Sequence, residues 1–211
     1  MHVHHSNIDY IDQAFSTYNV ELVHFVDPGL MRRLTFDPTF SKEAAAMKIS
    51  EQIAWMKSSQ VDAILLTCTN YIALLQDELL TTRIPIFKID EPFFETICKV
   101  TEPQTIFFSN PGTVKGTMER LNHYASERKK ELNINAIVIE DTFELMMNGQ
   151  ADLYNEKIAE YIKVYGKNSR DVLSVGQLSM YDASKQTQLA SLNPLDSLVP
   201  PIVEALELKE Y

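Results

Sequence analysis

The chain has 211 residues, enough to bury a sizeable core as one structural unit built in two halves. With 19 basic against 29 acidic residues, its formal net charge of −10 repels a phosphate backbone or an anionic membrane surface, so neither nucleic acid nor membrane is an expected partner. No secretory leader is read at the start, and no apolar stretch reaches the roughly 20 residues that a spanning helix needs. Two cysteines inside regular elements do not make a disulfide framework, and a cytoplasmic location is expected.

In chain order, short β-rich runs alternate with helical stretches, which predicts an α/β fold with mainly parallel sheets flanked by helices. The predicted strands are 2–5, 21–26 (ELVHFV), 62–67 (DAILLT), 85–89 (PIFKI), 104–108 (QTIFF), 135–140 (NAIVIE) and 171–176 (DVLSVG). Between them, residues 42–57 put Ala46, Ile49, Ile53 and Met56 on one helical stripe behind Ser41 as N-cap. Residues 113–130 do the same with Met118, Leu121 and Ala125. A third helix carries Leu153, Ile158, Ile162 and Tyr165 and is expected to end at Gly166, where a left-handed cap is easy for glycine. Cys98, in FFETICKV, falls on the apolar face of a short helix opened by Glu91 and Pro92 and reads as core. The basic run Arg128, Lys129 and Lys130 lies between Glu127 and Glu131 and reads as a solvated helix end.

The two halves share an order of features. IFFSNPGT at 106–113 parallels VHHSN at 3–7, the run ending at Asp141 parallels the run ending at Asp27, and the Asp171 segment parallels the Asp62 segment. These pairs lie 103 to 114 residues apart, which predicts two similar lobes facing a common cleft. The expected division is residues 1–100 with 190–211 for the first lobe and 101–189 for the second.

In open α/β sheets, ligands sit beyond the carboxyl ends of strands, where helix N-termini present unpaired N–H groups. The polar residues placed there are Ser6 and Asn7, then Thr67, Cys68, Thr69 and Asn70. In the second half they are Ser109, Asn110, Gly112 and Thr113, then Gly176, Gln177 and Ser179. Hydroxyls, amides and backbone donors of this kind suit a small carboxylate. Cys68 is the reactive group among them. A thiol at a strand end beside a following helix can be lowered from its usual value of about 8.5, so that thiolate is present near neutral pH. An isolated cysteine reads more often as a buried core residue, and the neighbouring Thr69 and Asn70 bring the two readings level here. Tyr71, Asp90, Glu91 and Tyr181 also stand near strand ends but read as packing or capping.

LLTCTNY, then RIPIFKIDEPFFE, TIFFSNPGTVKGTMERLNHYA and LSVGQLSM resemble, in order and over nearly the whole chain, the aspartate/glutamate/hydantoin racemase superfamily. The resemblance implies two similar α/β lobes, each giving one cysteine to a cofactor-independent site between them. One cysteine takes the α-proton of a small carboxylate and the other returns a proton to the opposite face. On these terms Cys68 matches the first-lobe cysteine, Thr69 and Asn70 its anion-holding neighbours, and Ser6 a polar residue after the first strand. Gly112, Thr113 and Thr117 match the turn and helix start of the second lobe, with Asn110 beside them. Gln177 stands where the second cysteine is expected. Its amide neither gains nor loses a proton near neutral pH, so two-thiol racemisation is not available. What remains is one-cysteine chemistry, namely decarboxylation, elimination or isomerisation by thiolate addition, with Gln177 binding a second polar group of the substrate. His4 or His5 is the alternative acid or base by type.

HVHH at residues 2–5 puts two histidines on one strand face, a spacing found in metal hydrolases. No HxxE or HxxxH completes a ligand set, so no metal and no cofactor is expected. The resulting expectation is a racemase-superfamily enzyme, isomerase or lyase, acting on a small carboxylate, with a homodimer as the common assembly for such a chain. A binding protein that keeps the anion cleft without turnover is the alternative.

Overall fold

Among the described residues the strands that form ladders pair in parallel, as strands joined through helical crossovers do, while Tyr18 and Glu210 meet in a single antiparallel bridge. The computed structural model describes residues 1–76 and 83–211. These form two compact units, Met1–Ile89 with Ile202–Tyr211, and Asp90–Pro201.

In the first unit, β1 (Ile64–Leu66) pairs with β2 (Ile86–Lys88), Ile64 opposite Ile86. Backbone bonds extend this small sheet. Thr67 N donates to Met1 O at 3.2 Å, His2 N to Phe25 O at 2.8 Å, and Asp27 N to His2 O at 2.9 Å. Residues 1–2 therefore lie between β1 and the 25–27 segment, with a parallel bridge from His2 to Val26. Around them run α1 (Asn7–Phe15), α2 (Gly29–Phe36), α3 (Lys42–Ser58) and α4 (Thr69–Leu74). The predicted cap of α3 is present, with Ala44 N donating to Ser41 Oγ at 3.1 Å, and Ala46, Ile49, Ile53 and Met56 are buried.

Two expected strands of this unit are much shorter than predicted. Of the 2–5 run only His2 pairs, and His4 and His5 lie in the turn before α1. Only Val26 of the 21–26 run bridges, and Val23 is exposed. An alternating apolar run needs a ladder partner to become a strand, and residues 21–24 make no ladder among the described residues.

The second unit holds a four-stranded parallel sheet in the order β4 (Ile134–Val138), β3 (Gln104–Phe108), β5 (Val172–Val175), β6 (Ser191–Leu192). Every residue of the central β3 is buried, the mark of a strand covered on both faces. Phe107 packs toward Tyr154, Ile158 and Ile162 of α8 (Ala151–Asn168) and Ala183 of α9 (Tyr181–Gln186). Ile106 and Phe108, on the other face, pack with Phe93, Phe94, Ile97 and Cys98 of α5 (Asp90–Lys99) and Leu121 and Ala125 of α6 (Pro111–Glu127). Cys98 is thus core. A short α7 (Thr142–Met147) follows β4, and α10 (Pro194–Ala205) carries the chain back toward the first unit through Pro200 and Pro201.

The units divide at 89/90 and 201/202 rather than at the expected 100/101 and 189/190. The reason is α5, whose apolar face joins the β3 core, together with Asp90 at its head, which pairs with Arg120 of α6. Gly166 differs too. It lies inside α8, not at its end, and a Cβ there would come within 2.8 Å of Leu189 Cδ1 and 3.1 Å of Leu173 Cδ1. Close packing, not a left-handed cap, explains that glycine.

Candidate functional site

Cys68 and Gln177 occupy the same local position in their respective units. Each is the last extended residue after a strand and directly precedes a helical turn. Cys68, with φ −121° and ψ 116°, caps α4, and Gln177, with φ −137° and ψ 142°, caps the 3₁₀ turn Leu178–Met180. The order-based pairing of the two segments is therefore also a pairing of backbone geometry.

In the second unit the site is built around the Gln177 amide. Its Oε1 accepts from Ser109 N at 2.7 Å, Asn110 N at 3.0 Å and Ser109 Oγ at 3.1 Å. Two of these donors are backbone N–H groups, which must meet an acceptor, so the amide orientation is fixed with oxygen inward and Nε2 outward. Gln177 fills with its own oxygen the donor cluster at the end of β3. Gly176 lets this segment lie against β3, since a Cβ there would come within 2.5 Å of the buried Phe108 ring. Ser109 Oγ is bonded in turn to Tyr154 Oη at 2.9 Å, and Tyr154 Oη to Ser179 Oγ at 3.0 Å. Burial pushes the Tyr154 phenol upward, so it stays a neutral hydroxyl.

Asn110, Gly112 and Thr113 form the start of α6. Asn110 is the N-cap, its Oδ1 accepts from Gly112 N at 2.9 Å, and Thr113 Oγ1 donates to Asn110 O at 2.9 Å. The Asn110 side-chain oxygen and the Gly112 N–H are thus engaged with each other in capping. Thr117, one turn on, is buried, and its hydroxyl has no hydrogen-bond partner among the described residues.

In the first unit Cys68 is half-buried, with Thr69 and Asn70 in the first turn of α4. Ser6 precedes α1 without capping it, because its Oγ pairs with His4 Nδ1 at 2.8 Å. Burial, and then the neighbouring His5, lower the His4 ring below its ordinary value, which favours the neutral imidazole. Tyr71 Oη lies 3.1 Å from Asp27 Oδ2 and 3.2 Å from Gln52 Oε1. Burial opposes charge on Asp27, but hydrogen bonds from Gln52, Gly29 N, Tyr71 and Leu30 N outweigh it and hold the carboxyl below its ordinary value. Burial and the Asp27 charge drive the Tyr71 phenol strongly upward.

Tyr154 and Gln52 were not picked out by sequence, and Asp27 and Tyr71, both noted there, were not expected to meet in one cluster. Tyr154 carries a usable signal, since a phenol on the apolar stripe of Ile158 and Ile162 has to find a polar partner. The HVHH histidines do not converge. His2 turns to Thr67 and His24, and His4 to Ser6. Among the described residues no group of three or more His, Cys, Asp or Glu is arranged to hold a metal ion, and no helix is long and apolar enough to cross a membrane. Grooves of about 670 Å³ along α8 and about 450 Å³ beside α3 contain none of the eight candidate residues.

No family model matches the sequence and no curated protein is matched by it. Among solved structures, the aspartate racemase of Picrophilus torridus superposes with a TM-score of 0.71 at 14% identity, covering 98% of this chain and 91% of that one. A glutamate racemase isoform from Bacillus anthracis gives 0.69 at 13% identity, covering 98% and 79%. Allantoin racemase from Klebsiella pneumoniae gives 0.58 at 16% identity, covering 96% and 84%. The chain has the racemase fold. Coverage this complete extends the likeness to both α/β units of the chain, while identity this low leaves the individual site residues to be argued from chemistry.

Proposed function

We propose that this chain is a cofactor-independent enzyme of the racemase superfamily that acts on a small carboxylate through one cysteine. Cys68 is the protic group. Ser6, Thr69, Asn70, Asn110, Gly112, Thr113 and Gln177 form the polar lining that binds substrate. The reading is carried by the matched strand-end geometry of Cys68 and Gln177, one able to ionise and the other not. Cys68 handles the one proton that such a reaction moves. In a decarboxylation the C–C bond breaks, carbon dioxide leaves and the Cys68 thiol protonates the carbanion. On a substrate with no leaving group the thiolate takes the α-proton into an enediolate and returns it to the same face, which is isotope exchange without net conversion. Oriented N–H and hydroxyl donors stabilise such an anion, each by about 3 kcal/mol in comparable sites. Gln177, its oxygen committed inward, contributes amide N–H donors rather than acid–base chemistry. The same reading takes the protein as a cytoplasmic homodimer that uses neither a metal nor an organic cofactor.

The superposed structures are titled racemases of aspartate, glutamate and allantoin, which sets the panel for the test. In deuterated water with aspartate, glutamate and further amino and dicarboxylic acids, solvent deuterium is expected to enter the α-carbon without inversion, and allantoin, which has no carboxylate, serves as the negative control. Cys68→Ala abolishes wash-in and retains binding. Full inversion by the native protein, or wash-in that survives Cys68→Ala, rejects the one-thiol mechanism. Binding of a panel acid without any exchange identifies the second reading, a carboxylate-binding protein.

A further inference from the structure

The proposed chemistry does not use His2, His24 or Asp12, yet the three form a continuous hydrogen-bonded chain ending at the residue before Cys68. His24 Nε2 lies 2.8 Å from Asp12 Oδ1, His2 Nε2 lies 2.9 Å from His24 Nδ1, and His2 Nδ1 lies 2.9 Å from Thr67 Oγ1. The chain joins α1, the 21–27 segment, the first extended residues and the end of β1, all within one unit. His2 and Thr67 are buried, while Asp12 is half open to solvent.

The order of protons along this chain follows from one end. A carboxylate only accepts, so His24 Nε2 carries hydrogen and donates to Asp12. When the His24 ring is neutral its other nitrogen is bare, so His24 Nδ1 accepts from His2 Nε2–H. By the same rule His2 Nδ1 is bare and accepts the Thr67 hydroxyl hydrogen. Burial lowers the His2 ring to about 3, consistent with a neutral imidazole. The Thr67 hydroxyl also lies 3.2 Å from Met1 O, but it has one hydrogen, which the closer His2 nitrogen takes. The Thr67 oxygen remains an acceptor for Asn7 Nδ2 at 3.4 Å.

We propose that Asp12, His24 and His2 are positioning residues that lock the Thr67 hydroxyl in a single donor direction and thereby fix the turn that presents Cys68. The inference rests on Cys68 being the working thiol of the proposed function. Its mechanism is pre-organisation: Thr67, tied through both its side chain and its backbone N–H, holds the Thr67–Cys68 peptide and with it the backbone that carries the sulfur. When the lock is released, the sulfur spends less time in the orientation in which it reacts.

The test reads imidazole tautomers and thiol reactivity, neither of which needs a known substrate, so its failure is distinguishable from failure of the enzymatic reading. In the native protein at pH 8, ¹⁵N spectra are expected to show His2 and His24 both as Nε2–H tautomers. In Asp12→Asn the directing carboxylate is gone, and a share of His2 shifts to the Nδ1–H form. Alkylation of Cys68 by iodoacetamide, followed by mass spectrometry, is expected to slow roughly two- to tenfold in Asp12→Asn and in Thr67→Val, the size expected of one neutral hydrogen bond. Thr67→Ser keeps the native rate. Buried Cys98 serves as the unfolding reporter, and a variant in which it reacts is set aside in favour of the native tautomer measurement. A His2 Nδ1–H tautomer in the native protein overturns the proposal, as does a Cys68 rate unchanged in variants that remain folded.

Discussion

Gln177 ends in an oxygen shared by three donors, two of them backbone N–H groups of a buried strand end. Removing that oxygen strands the donors, so Gln177→Leu should destabilise by about 1–3 kcal/mol, the desolvation cost of unpaired buried groups, read as a lower denaturant midpoint. The residue type at 177 was legible in the sequence and its lack of acid–base chemistry followed at once. That its oxygen turns inward was not legible, because this depends on how β3 and β5 come into register, Gln104 opposite Val172. A second residue-scale consequence concerns pH. His2 is lowered to about 3 in the folded chain, against an ordinary value near 6.5 when unfolded. Between those values the unfolded chain binds the extra proton, so stability rises with pH across that window. The contribution is complete above the unfolded value and is lost as pH falls toward 3. Denaturation midpoints measured from pH 7 to pH 4 should therefore decline, and the decline should be shallower in His2→Gln.

At the scale of elements, the sequence was most informative where packing is two-sided. QTIFF became β3 with the predicted bounds: Ile106, Phe107 and Phe108 form the apolar run that a strand covered on both faces requires, and the buried Gln104 and Thr105 find hydrogen-bond partners in Ile97 O and Asp171. It was least informative in the first unit, where the 2–5 and 21–26 runs had strand composition but only one or two pairing residues each. There, His2 and His24 hydrogen bonds determine how the segments meet. The helix opened by Glu91 and Pro92 was recognised, but its membership was not. The Asp90 carboxylate, almost fully buried, receives Arg120 Nε at 2.8 Å and Nη2 at 3.0 Å and ties α5 to α6. Arg120→Ala leaves that carboxylate without its partner and is expected to cost about 3–5 kcal/mol, measured by calorimetry or denaturant. Gly176→Ala is predicted to cost about 1–3 kcal/mol, because the new methyl meets the ring of Phe108 in a filled core with no room to yield.

At the scale of the whole molecule, the internal repeat was legible as order and spacing, and the two units bear it out in architecture without matching atom for atom. Asp171 accepts from Thr105 Oγ1 at 2.7 Å, while its counterpart Asp62 is exposed. What the repeat does preserve is the strand-to-turn geometry at residues 68 and 177. That equivalence permits a direct test of whether the two positions serve one substrate. Gln177→Cys replaces a non-ionising amide by a thiol at the backbone position that corresponds to Cys68. The exchange sacrifices the three bonds to the amide oxygen, so some loss of stability is expected, but Gly176 and the Phe108 contact are untouched and cysteine is smaller than glutamine. If residue 177 faces the α-carbon that Cys68 deprotonates, a proton can now return from the second sulfur. Solvent deuterium that enters without inversion in the native chain should then enter with inversion in the variant, seen as loss of optical activity at the rate of isotope wash-in. Wash-in that stays one-sided in a folded Gln177→Cys protein would mean that the two positions do not share a ligand.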